Sequence, residues 1–122
     1  MRDEYLAWSE PRPQPGLQLG KIICSLRAEL PQNTVVTNGA GNYTAWLHRH
    51  HRYCALGIQL APTSGSRGYR LPAAIAAKLL QPQRTVIAFS GDGCFLMIDQ
   101  ELATAVQYEL SLVVILVNNG MY

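Results

Sequence analysis

Charge is scarce in this sequence. Only 15% of its 122 residues are Asp, Glu, Lys or Arg, where a solvated domain usually carries about 25%. The net charge is +2 and the basic residues are scattered, which argues against nucleic acid as a partner. Three cysteines, Cys24, Cys54 and Cys94, stand far apart with no CxxC pair. That excludes a disulfide framework or a zinc knuckle and fits a reducing cytosol. Long apolar runs are missing too. The N-terminus, Met1-Arg2-Asp3-Glu4-Tyr5, has no signal-peptide core. The longest aliphatic stretch, residues 112–117, is far too short for a membrane span. The expected location is therefore the cytoplasm, with no membrane partner.

What is present is apolar and ordered. Hydrophobic residues make up 48% of the chain, which excludes a disordered tail or a collagen-like repeat. One domain is expected, burying about 65% of its unfolded surface. Low charge also implies partner surfaces on several sides. Three of the seven prolines fall in Ser9-Glu10-Pro11-Arg12-Pro13-Gln14-Pro15-Gly16, so residues 1–16 read as a linker remnant. Residues 17–122 read as the domain itself, which the resemblance given below implies is partial.

Within 17–122, Leu17, Leu19, Ile22, Ile23, Leu26 and Leu30 recur at helical spacing up to Pro31. Residues 34–37 read as a strand, 38–41 as a small-residue turn and 43–52 as a helix. A loop over 62–68 precedes a helix that Pro72 begins. Residues 85–89 and 112–117 are unbroken apolar runs of the kind that parallel sheets bury on both faces. Residues 95–109 read as one crossover helix of about 15 residues. The fold class is α/β, three layers, with a mainly parallel sheet between flanking helices.

Ligands in such sheets gather at the carboxyl ends of strands. Two of those ends are polar here: Ser90-Gly91-Asp92-Gly93-Cys94 and Asn118-Asn119-Gly120. Asp92 and Asn119 lie 27 positions apart, one strand–helix–strand unit. A carboxylate and an amide oxygen at one sheet edge suit a hard cation such as Mg²⁺. Gly93 permits backbone approach to an anion, and a following helix would aim its N-terminus there. The competing reading is plain turn chemistry, since Asp-Gly and Asn-Gly pairs are common in turns. A dinucleotide site fits less well, because no GxGxxG follows the first strand.

Gly91-Asp92-Gly93-Cys94-Phe95, Gln100-Glu101-Leu102-Ala103-Thr104-Ala105-Val106 and Val117-Asn118-Asn119-Gly120-Met121-Tyr122 resemble the C-terminal cofactor-binding domain of acetolactate synthase-like enzymes, which use thiamine diphosphate. Thr63-Ser64-Gly65-Ser66, Gly68-Tyr69 and Leu71-Pro72-Ala73-Ala74-Ile75 belong to the same resemblance. It runs from about residue 15 to the end. It implies a thiamine-diphosphate-binding fold that is incomplete at its C-terminus. It also implies Mg²⁺ ligands at Asp92, Asn119 and the Met121 carbonyl. Gly91, Gly93 and Cys94 would meet the diphosphate, with Asn42 and Tyr43 as a second contact. Gly65, Ser66 and Arg67 would border the aminopyrimidine. The parent reactions are 2-keto acid decarboxylation and carboligation, lyase and transferase chemistry in a homo-oligomer. The resemblance assigns no catalytic residue here, because the activating glutamate normally comes from another domain.

Three positions depart from that pattern. Arg67 replaces the apolar prop beneath the cofactor, and a cation 4 Å from the thiazolium would be repelled by about 4 kcal/mol at an effective dielectric of ~20. Arg70 and Glu109 replace glycines, and at position 109 a left-handed turn would be strained by about 1–2 kcal/mol. These departures keep a rival expectation open: a non-catalytic decayed piece or docking subunit. Outside the motif, His48, Arg49, His50, His51 and Arg52 are expected to form a solvated helix end. Trp46, Tyr108 and the aliphatics of 95–109 are expected in the core, and Glu101 is expected to be structural.

Overall fold

The computed structural model describes residues 15–120. The expected linker therefore lies almost wholly outside the described residues, as does Met121. In chain order the elements are α1 (Leu19–Glu29), β1 (Val35–Asn38), α2 (Tyr43–His50), β2 (Gln59–Leu60), α3 (Arg70–Leu80), β3 (Val86–Gly91), α4 (Asp92–Phe95), α5 (Glu101–Gln107) and β4 (Val113–Val117). The four strands form one sheet in the order β2-β1-β3-β4, and every pairing is parallel.

The three layers follow from the two-residue alternation of the strands. Val36, Ile87 and Phe89 face one way and pack with Ile23 of α1 and Tyr43 and Leu47 of α2. Val35, Val86 and Ala88 face the other way, against Ala74 of α3. Leu71, Ile75 and Ala105 extend that second layer to α5, with Val114 of β4 beside them. Covering both faces explains why β3 reads as a continuous apolar run rather than as alternation.

Four expectations shift. The 15-residue helix is divided into α4 and α5. Residues between them close short turns, with Ile98 N–H on the Phe95 carbonyl at 3.0 Å and Glu101 N–H on the Ile98 carbonyl at 3.1 Å. Phe95 and Ile98 pack against the Leu71–Ile75–Ala105 cluster, so tertiary packing overrides helical propensity there. The second shift is at α3, which begins at Arg70 rather than Pro72. Pro72 is then its third residue, where no intrahelical N–H bond is owed. The third is β2, only two residues long and so without a periodic signal. The fourth concerns aromatic and helix-end residues. Trp46 and Tyr108 are about half exposed, and Leu102 and Val106 of α5 are exposed as well. His50 is buried and stacks on Trp46 at 5.9 Å, while Arg27 Nη1 donates to its carbonyl at 3.0 Å. His48 and Arg52 are exposed, while Arg49 and His51 are partly buried.

Glu109 has φ 52°. The left-handed turn expected there is present, and a non-glycine residue holds it. The Leu110 N–H closes the turn on the Ala105 carbonyl at 2.8 Å.

Candidate functional site

The carboxyl edge of the sheet carries the site. Gly91 of β3 is paired with Val117 of β4, so Asp92 and Asn118 leave the sheet side by side, with Gly93 and Asn119 next. Asp92 is partly buried and Asn118 and Asn119 are exposed. The Asp92 carboxylate accepts the Gly93 N–H at 2.8 Å. Asn118 Oδ1 accepts the Gly120 N–H at 2.8 Å, and Gly120 takes φ 70°, a conformation that favours glycine. This local closure holds the 118–120 turn open toward solvent. Cys94 is a partly buried free thiol within α4. Because α4 is only four residues long, its dipole supplies far less than the expected long helix.

The β1 side of the same edge is built differently. Tyr43 is buried, and its hydroxyl accepts the Gly39 N–H at 2.9 Å and donates to the Phe89 carbonyl at 2.9 Å. It ties the turn after β1 to the neighbouring strand. Burial pushes this hydroxyl above the ordinary tyrosine range, against the opposing effects of the Gly39 hydrogen bond and the Arg70 cation. A Cβ on Gly41 would lie 2.6 Å from the Tyr43 ring, so that glycine is required by close approach. Asn42 is exposed at the start of α2. Asn38, which sequence reasoning passed over, is buried; it donates to the Gly39 carbonyl at 3.0 Å and accepts Gln59 Nε2 at 3.0 Å. Its only sequence signal was its place at a strand end.

The third segment is the loop before α3. Gly65 and Gly68 take φ of 71° and 84°, and Ser64 and Ser66 share a hydroxyl hydrogen bond of 2.8 Å. Ser66 and Arg67 are both exposed to solvent. Arg70 is the opposite. It is 0% exposed, its carbonyl accepts Thr37 Oγ1 at 2.8 Å, and none of Nε, Nη1 and Nη2 has a hydrogen-bond partner among the described residues. Glu101 sits at the start of α5 and accepts Thr104 Oγ1 at 3.3 Å, a bond within its own helix.

No three His, Cys, Asp or Glu side chains cluster among the described residues. A cation at this edge would depend on one carboxylate with amide and carbonyl oxygens, the donor set of a hard ion.

Residues 39–122 match the family described as the C-terminal TPP binding domain of thiamine pyrophosphate enzymes. The chain belongs to this family. It is 31% identical to the acetolactate synthase isozyme 2 large subunit of Escherichia coli over 120 residues, covering 98% of this chain and 22% of that one. It is 33% identical to acetolactate synthase of Bacillus subtilis over 116 residues, 94% of this chain and 20% of the other. Among solved structures it is similar to the thiamine diphosphate-dependent 4-hydroxybenzoylformate decarboxylase of Rhodococcus jostii, with a TM-score of 0.82 and 30% identity over 92% of this chain and 21% of that one. The chain thus spans about a fifth of the length of these relatives. The parallel sheet and flanking helices are the fold of that decarboxylase. No helix among the described residues is long and apolar enough to cross a membrane.

Proposed function

We propose that this thiamine pyrophosphate-binding domain holds the cofactor's diphosphate through a Mg²⁺ ion ligated by Asp92, Asn119 and the Met121 carbonyl. One observation carries this reading: the parallel pairing of Gly91 with Val117, which sets Asp92 and the 118–120 turn side by side. The residues present fit the group. Asp92 supplies the charge, the turn supplies neutral oxygens, and an unpartnered guanidinium lies buried beneath the same edge.

When bound, the cofactor supplies the carbon–carbon chemistry. The chain's own residues bind and orient. Gly91, Gly93 and Cys94 admit the diphosphate through their backbone, Asn42 and Tyr43 border its far side, and Gly65, Ser66 and Arg67 border the aminopyrimidine. Tyr43 acts through its clamp on Gly39 rather than through a free hydroxyl. A full-length protein carrying this domain would be an acetolactate synthase-like enzyme acting on a 2-keto acid, homo-oligomeric and cytoplasmic. A second reading is a non-catalytic docking piece, and exposed Arg67 favours it because the apolar prop is lost.

Calorimetric titration with thiamine diphosphate distinguishes the two. Binding that requires Mg²⁺ and disappears in Asp92→Ala is the expected result. A folded chain that gives no heat at millimolar cofactor contradicts it and leaves the docking piece.

A further inference from the structure

We propose that Arg70 is an anion ligand, a buried cation that takes a phosphate or diphosphate group at the carboxyl edge of the sheet without any metal. Arg70 is fully buried and is the largest such side chain in the described residues. All three guanidinium nitrogens lack a hydrogen-bond partner among the described residues. Arginine cannot shed its proton in a protein, so the charge persists. No Asp or Glu among the described residues is buried with it. The Tyr43 hydroxyl already makes two hydrogen bonds to backbone, and burial pushes it above the ordinary tyrosine range despite the Arg70 cation.

A buried charge without a partner is costly, and an incoming anion relieves that cost. The position suits one. Nη1 lies 3.2 Å from where a Gly39 Cβ would stand, so the guanidinium sits close against the turn after β1. Gly39 begins the turn after β1, and the next residue, Ala40, is exposed. The main chain of Arg70 is held by Thr37, which fixes the stem at the first turn of α3. The planar fork of the side chain matches the paired oxygens of a phosphate. The identity of the anion as a cofactor's diphosphate rests on the reading above; the anion site itself does not.

The test uses the full chain, inorganic pyrophosphate, and EDTA to remove divalent metal, with ionic strength held constant. Wild type is expected to bind pyrophosphate and to gain thermal stability, while chloride at the same ionic strength does neither. Inorganic phosphate alone giving the same response would assign the site to a single phosphate group. Arg70→Gly is expected to weaken pyrophosphate binding by about tenfold or more. Arg70→Lys, which keeps the charge and loses the fork, is expected to fall between them. Equal pyrophosphate affinity in Arg70→Gly, or no metal-free response in wild type, overturns the proposal. Neither result touches Mg²⁺-dependent binding of thiamine diphosphate, so the two readings fail separately.

Discussion

The two halves of the sheet edge solve opposite problems. After β3 and β4, polar oxygens are held at the surface by single-turn bonds, Gly93 to Asp92 and Gly120 to Asn118. After β1, a buried tyrosine clamps the turn and a buried arginine lies near it without a hydrogen-bond partner among the described residues. The exposed half costs little to keep, because water satisfies whatever the protein does not. The buried half stores an uncompensated charge. A ligand that reaches both halves gains from the first by supplying a cation's partner and from the second by supplying an anion.

That contrast yields effects of descending size. The largest is at Arg70. Arg70→Met keeps most of the volume and removes the charge, so urea denaturation should show a gain of about 3 kcal/mol in the absence of ligand; a loss would mean that the guanidinium is compensated after all. Next come the two halves compared directly. Tyr43→Phe strands the Gly39 N–H and the Phe89 carbonyl inside the core and should cost about 2 kcal/mol. Asn118→Ala removes an equally short bond from an exposed turn and should cost no more than about 0.5 kcal/mol, as surface substitutions usually do. Equal losses would erase the distinction between the halves.

Glu109→Gly relieves a left-handed residue at φ 52° and should raise stability by about 1 kcal/mol, read as a shift in urea midpoint with unchanged slope. The smallest effect is one of pH. Burial, with the nearby Arg27 cation, holds His51 below its ordinary value of 6.5. The folded chain favours neutral His51, so its contribution is present above pH 6.5 and is lost as pH falls through the folded value. Urea midpoints measured from pH 7 down to pH 5 should fall less in His51→Gln than in wild type.

Much of this was legible in the sequence. The apolar runs of β3 and β4 announced a parallel sheet, and Asp92 with Asn119 announced a polar edge, because strand length and spacing are local properties. The left-handed turn at Glu109 was legible only through the family resemblance, which places a glycine at that position. The division of 95–109 could not, because Phe95 and Ile98 are drawn to Leu71 and Ile75 across the fold. Nor could the burial of Arg70. Sequence marks it as a charged residue before an apolar helix, and only packing places that charge beneath the strand ends. Gln59 joined to Asn38 was equally hidden, since the two are brought together by a strand of only two residues.

The central claim is a metal-bridged cofactor seat at Asp92 and the 118–120 turn. Electron paramagnetic resonance of Mn²⁺, used in place of Mg²⁺, tests it most directly. Protein-bound Mn²⁺ should appear only when thiamine diphosphate is added, and it should disappear in Asp92→Ala and weaken in Asn119→Ala. Mn²⁺ bound equally well without the cofactor, or unchanged in Asp92→Ala, would contradict the claim.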